Sequence, residues 1–405
     1  MEKIKSRLYI AIFIFAVLSI AFALLSNGRQ KDFYYIAVYL SIAGMIVERK
    51  NISFKKFNTA YPIILIGIIK LIWFLWLGRD ATGYNAYSDQ LGAGKKLVLG
   101  GFLVFYLTHF KHYIKAIKYK NVMLALIGIA FASATCYAFW QSFHGMQRVE
   151  MAINRATISA YIYSTLSMLF IYFLYLQKKP ACYIIAAISI LLSFVVIILT
   201  GTRASIILHL LIIAVMTTYY FKKIHLKSMV VVLIVAIFSI FILYKNYIQP
   251  KIEQTYDEVN LYQEGKDSTS LGARFSMWTV GINNFVNAPL GQSMQSRFNY
   301  SDQFTSQHPQ YRSSMVFISV HLHDEMIEIL SLQGILGGLA LLWLYVSLCW
   351  VAIRERNTPL LFTMNGLIVY GLSDVLLLSS EAILFYVAVI GVCGMSLPVK
   401  QKEVL

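Results

Sequence analysis

Charge is scarce in this chain of 405 residues: 13% are Asp, Glu, Lys or Arg, about half the share usual in soluble domains. A water-facing surface cannot be covered at that composition, which excludes a soluble globule. Acid is scarcer than base, 19 residues against 35, and the formal net charge is +16. Cysteine is limited to Cys136, Cys182, Cys349 and Cys393, all in or beside apolar runs. That pattern excludes a disulfide framework and a cysteine metal site and leaves packing as their role. Internal repeats and low-complexity tracts are also missing, and with them the usual mark of transporters built from repeats.

What is present is apolar. Hydrophobic residues make up 58% of the chain, and mean hydropathy is +0.65. Stretches of roughly 20 residues, enough for a helix to cross a hydrocarbon core of about 30 Å, recur along nearly the whole length. Twelve spans are expected, with cores at 8–25, 33–47, 60–77, 91–108, 121–142, 157–176, 181–199, 204–221, 228–248, 326–352, 359–379 and 380–397. The fold class is therefore an all-α integral membrane protein of about 12 transmembrane helices. Residues 1–248 carry nine of them, 249–325 form one large outer loop, and 326–405 carry the last three and a tail. The first run follows a basic tail but no small-residue cleavage pattern closes it, so it reads as an uncleaved helix. With both termini cytoplasmic, 20 of the 35 basic residues lie inside, 14 outside, and Lys70 within a helix, as the positive-inside rule requires. The basic balance is then topological bias, and no nucleic-acid partner is implied despite a pI near 9.5.

Polar chemistry gathers on the outer side. The inner segments hold sixteen lysines and four arginines, whereas the outer ones hold six lysines and eight arginines: Arg29, Arg79, Arg148, Arg155, Arg203, Arg274, Arg297 and Arg312. A guanidinium fork grips phosphate bidentately and stays charged in a poorly hydrated site. The outer face thus suits a phosphate-bearing ligand, with contact to lipid headgroups the plainer reading for any single arginine. Within the outer loop, LGARFSMWTVGINNFVNAPLG places Phe275, Trp278, Ile282 and Phe285 at helical spacing and closes at Pro289. The spacing predicts an amphipathic helix headed by Arg274. The next segment, QSMQSRFNYSDQFTSQHPQYRSS, has no period and reads as irregular loop.

TGTRAS, residues 200–205, is a polar break between two apolar runs, in a hairpin too short to project. Arg203 sits at the membrane edge, where it snorkels, starts a helix or binds an anion. HLHDEMIEILSLQGILGG, residues 321–338, passes from loop to helix and sets His321, His323, Asp324, Glu325 and Glu328 at the outer interface. An imidazole there is a natural general base and also an ordinary interfacial hydrogen-bonding group. Gly334, Gly337 and Gly338 permit close backbone approach. Zinc on His321, His323 and the nearby acids lacks a usual ligand spacing. Asp374, within the eleventh expected span, needs a partner, either an arginine or His323. Lys70 and His209 lie inside spans with no assigned role.

TGTRAS, the segment from Arg274 to Trp278, and His323 followed by Gly334 and Gly337, bracketing one large outer loop on about twelve helices, resemble the O-antigen ligases of Gram-negative bacteria. The resemblance runs along the whole chain and is most specific in its second half. It implies a GT-C-like glycosyltransferase of the inner membrane, inverting and independent of metal, cofactor and ATP. The reaction it implies moves an O-antigen polysaccharide from undecaprenyl diphosphate to a terminal sugar of lipid A-core. Both partners are lipids of that membrane, no nucleic acid takes part, and the active site faces the periplasm. By position the resemblance puts Arg203 and Arg274 on the diphosphate, makes His323 the base that activates the acceptor hydroxyl, and places Asp374, Trp278 and His321 at the substrate site. Asp324 departs from the family pattern, which has a neutral polar residue there; an acid would raise the histidine pKa. O-antigen polymerases share the donor and architecture, but resemble a pattern of two sizeable outer loops and repeated Arg-x10-Gly stretches that this sequence lacks.

Overall fold

The computed structural model describes residues 2–54, 57–78, 85–221, 245 and 249–395. These residues form fourteen α-helices: α1 (Glu2–Phe22), α2 (Asn27–Val47), α3 (Ala60–Leu77), α4 (Asn85–His109), α5 (Ala116–Phe143), α6 (Ala156–Tyr175), α7 (Pro180–Leu199), α8 (Arg203–Phe221), α9 (Gln249–Gln263), α10 (Ser270–Asn287), α11 (Met294–Gln307), α12 (Glu325–Arg354), α13 (Thr358–Gly371) and α14 (Ser380–Gly394). Seven of them, α1, α3, α4, α5, α6, α7 and α12, are long and apolar enough to cross a membrane. The chain is a multi-pass membrane protein.

The other expected spans are shorter or more polar. Helix α2 opens with the polar run Asn27 to Asp32, α14 has only 15 residues, and of α8 the side chains are described only for Arg203–Met216. Helix α13 has 14 residues, about 21 Å at 1.5 Å per residue, so it falls short of the hydrocarbon thickness. The ninth expected span, Arg79 and the C-terminal tail from 396 lie outside the described residues.

Helix α6 is the central one. Burial covers 89% of its apolar window, against 39–56% for the other six full-length spans, as expected for a helix apolar almost all round. Its hydroxyls find partners inside: Tyr370 donates to Ser164 Oγ at 2.7 Å, while Ser164 and Ser193 meet the two ring nitrogens of His209, each at 2.9 Å. His209 is thus a structural bridge among α6, α7 and α8. Lys70 donates to Gln90 Oε1 at 3.0 Å, and Gln333 donates to the same oxygen at 3.2 Å. This buried group ties α3 and α4 to α12.

Gly334 interrupts α12 with φ 66° and ψ −158°, a conformation open mainly to glycine. A Cβ there would lie 2.4 Å from the Gly291 nitrogen and 2.5 Å from the Pro289 carbonyl oxygen. The outer loop inserts its backbone into the break: Gln292 N–H donates to Leu332 O at 2.9 Å and Ile335 N–H to Pro289 O at 2.8 Å. The close approach expected of the glycines is therefore real at Gly334, and the partner is a loop rather than a helix. Around Gly337 and Gly338 an added Cβ would meet side chains of α12 itself.

Two expectations for the outer loop are corrected. Helix α10 forms, but its buried face is Ala273, Met277, Val280 and Asn284, not the aromatic stripe, and Ile282 is 55% exposed. Small residues let α10 pack closely, with Gly281 set against Leu322 and Ile327, which leaves Phe275, Trp278 and Phe285 only partly buried. The segment read as irregular holds α11 and a 3-10 turn, Pro309–Val316. Its buried face is polar: Arg297, Ser301 and Thr305. Arg297, 0% exposed, donates to Glu328 at 3.0 Å and to Ser331 at 3.2 Å. This outer arginine fastens the loop to α12 and is enclosed by protein.

Candidate functional site

The TGTRAS hairpin is built by Gly201, whose φ of +64° turns the chain between α7 and α8. Without a side chain there, Arg148 lies across the turn, its Nε donating to Thr200 O at 2.9 Å. Arg203 begins α8 and donates two parallel hydrogen bonds to Glu258 of α9, at 3.2 and 3.0 Å. Glu258 also accepts from Gln254 at 2.7 Å and from the Leu271 N–H at 3.1 Å, which joins α9 to the start of α10. Burial alone would raise the Glu258 carboxyl, but the Arg203 bonds and charge outweigh it and hold the pKa below the usual carboxylate range. One turn into α10, Arg274 donates to Ser373 Oγ at 3.3 Å.

These groups enclose a cavity of about 490 Å³ whose lining includes Arg148, Arg203, Lys251, Arg274, Thr157 and Ser373. Four cations line it and, among the described residues, no carboxylate does. Glu258 uses only two of the five donors on Arg203, so the rest of the fork remains for an anion. Such a cleft fits a group carrying more than one negative charge.

At its edge the chain turns from Ser373 to Asp374. Asp374 is not within a helix: α13 stops at Gly371, and the turn that follows is held by Leu377 N–H donating to Glu325 at 2.7 Å. The Asp374 carboxylate accepts from Val375 N–H at 2.9 Å and from Thr157 at 3.3 Å, and lies 3.5 Å from His323 Nδ1. That last separation is a close contact, longer than a formed hydrogen bond. Burial pushes the Asp374 pKa up, yet His323, the charge of His321 and the Val375 N–H together draw it down to about 2. His323 sits in the left-handed region at φ +52°, a strained conformation for this residue type. Its ring packs edge-on to His321 at 4.3 Å and to Phe317 at 5.7 Å. The His321 pKa is lowered, by burial first and then by His323. Ligand atoms of His321, His323 and Asp374 lie within 4.8 Å of one another, a donor set of the kind that can also take a divalent cation.

Arg203 and Arg274 thus share one cleft, and His323, His321 and Asp374 form a second group reached across Thr157 and Ser373. His323 itself is not in the cavity wall. Trp278 does not line the cavity either; it packs on Phe275 at 5.5 Å. Asp324 does not act on His323 as its sequence position suggests. Its carboxylate caps α12, accepting from Ile327 N–H at 2.9 Å, so the acid facing the histidine is Asp374. Sequence reasoning assigned no site role to Arg148, Thr157, Lys251, Glu258 or Ser373. Only Arg148 left a signal, as one of the outer arginines.

A family model described as O-antigen ligase matches residues 188–342. The chain is also 30% identical over 383 residues to an O-antigen ligase of Escherichia coli (strain K12), an alignment that covers 93% of this chain and 90% of that protein. The matched family segment spans Arg203, Lys251, Arg274, His321 and His323, while Arg148, Thr157, Ser373 and Asp374, which complete the cleft and the histidine group, lie outside it. With similarity that extends over nearly its full length, the chain belongs to the O-antigen ligase family.

Proposed function

We propose that this protein transfers a glycan from undecaprenyl diphosphate to a sugar of lipid A-core, at the periplasmic face of the inner membrane, with both termini cytoplasmic. The observation that carries this reading is the cleft shared by Arg148, Arg203 and Arg274 next to the His323–Asp374 pair. A sugar diphosphate already contains its leaving group, so the protein has to stabilise negative charge as the anomeric C–O bond breaks. Charge-assisted hydrogen bonds are worth roughly 1.5 to 3 kcal/mol each, and fixed donors in a site that excludes water act without reorganisation. The electron pair of the broken bond stays on the diphosphate oxygen. The acceptor hydroxyl attacks from the opposite face, its proton passes to His323, and the anomeric centre inverts. Asp374 holds the imidazole in place and favours its charged form as the proton arrives. His321 borders the substrate beside His323, Trp278 stands back from it against Phe275, and no metal or nucleotide takes part.

The test is transfer in vitro with purified protein, lipid-linked donor and lipid A-core in the presence of EDTA. Modified lipid A-core is the expected product. Loss of transfer in EDTA, restored by a divalent cation, would assign His321, His323 and Asp374 to a metal instead. Elongation of the donor glycan would make the enzyme a polymerase.

A further inference from the structure

The turn between α13 and α14 carries a guanidinium at each end. Arg274 donates to Ser373 at its start, on the side of the cleft. Arg155, which precedes α6, donates to Ser379 Oγ at its end at 2.6 Å and lies 3.5 Å from Glu381. Beyond Arg155 stand more cations. Gln30 of α2 donates to the Glu381 carbonyl at 3.1 Å, placing Lys31 beside it, and Tyr34 donates to the Lys96 carbonyl at 2.9 Å. One turn after Lys96, Gly100 packs on Tyr34 and on Val387 of α14. The starts of α2 and α14 and the middle of α4 therefore bring Lys31, Lys96 and Arg155 together, and Lys31 and Lys96 stand within electrostatic reach of each other.

We propose that Arg155, Lys96 and Lys31 bind phosphate groups of the acceptor glycolipid, on the side of the His323–Asp374 pair away from the donor cleft; this rests on the transfer reaction proposed above. Inversion requires the nucleophile to approach opposite the leaving group, so a second lipid needs a site of its own across the reacting carbon. The acids present, Glu381 and Asp89, do not neutralise the group. Glu381 engages one nitrogen of Arg155, whose side chain is 47% exposed, and among the described residues neither lysine forms an ion pair. Two lysines brought together in this way repel each other until an anion arrives, and phosphate is the anion that ammonium and guanidinium groups hold best at a lipid headgroup.

The experiment compares wild type with the Lys31→Gln/Lys96→Gln variant, in which Lys31 is exposed and Lys96 half-buried, and with Arg155→Gln. Each is assayed in nanodiscs with intact lipid A-core and with the same acceptor freed of phosphate. The lysine variant is expected to raise the KM for intact acceptor about tenfold, leave the donor KM unchanged, and have no effect with dephosphorylated acceptor. An unchanged acceptor KM, or an equal rise with dephosphorylated acceptor, overturns the proposal. So does an effect seen only when the nanodiscs contain phosphatidylglycerol, which marks a site for bulk anionic lipid. Direct binding of intact acceptor is measured in parallel without donor. If no form of the protein transfers glycan, the reaction fails, while a tenfold binding difference or its absence still decides the phosphate site.

Discussion

Replacing Asp374 by Asn separates charge from shape at the centre of the candidate site. The amide keeps the volume and still accepts from Val375 N–H, but removes the charge that faces His323 at 3.5 Å. The wild-type carboxyl drops from 3.8 to about 2, which at roughly 1.4 kcal/mol per unit favours the ionised form by about 2 kcal/mol. A bare Coulomb sum at that distance gives about 5 kcal/mol with an effective dielectric near 20; burial of the carboxylate offsets the remainder. Because the folded value is depressed, this stabilisation is present above about pH 4 and is lost as pH falls through 2. The variant should therefore melt below wild type at pH 5, with the gap closing toward pH 2. In single-turnover transfer, the same 2 kcal/mol lost from the transition state is a drop of about 30-fold in rate. The donor KM should hold, because Asp374 does not line the cleft of Arg148, Arg203 and Arg274. A transfer rate within threefold of wild type refutes the orienting role, and a melting gap that persists at pH 2 refutes its electrostatic origin.

Three further outcomes are expected. Arg203→Lys keeps the charge but loses the fork shared with Glu258, so donor-saturation kinetics should show a loss of about 10- to 100-fold in kcat/KM. Arg297→Met leaves Glu328 buried and unpaired, costing about 3 to 5 kcal/mol in thermal unfolding, whereas Arg297→Met with Glu328→Leu should recover most of it. Gly334→Ala meets both the positive φ and the backbone of Gly291 and Pro289; strain alone costs about 1 to 3 kcal/mol, and protease sensitivity of the outer loop should rise.

Sequence reading succeeds or fails here according to where polarity is the exception. In an apolar run a polar residue stands out, so Arg203 and His323 were legible from their positions at the ends of such runs. In a polar segment the same residue is one of many. Glu258 lies in a polar helix and looks solvated, yet it is 4% exposed beneath Arg203. Helix α11 escaped because periodicity assumes that apolar residues face inward, and its inward face is Arg297, Ser301 and Thr305. The end of α13 escaped for a related reason: the apolar run continues past Gly371, but Glu325 draws the Leu377 N–H into a bond across the bundle and the helix stops. The supporting groups come from far along the chain: Glu258 is 55 residues from Arg203, Ser373 is 99 from Arg274, and Asp374 is 217 from Thr157. No local pattern can encode such pairs. It follows that the groups expected to touch substrate can be read from a membrane sequence more readily than the groups that hold them. Substitutions at Glu258 and Thr157 are accordingly where altered donor handling should appear without any motif having changed.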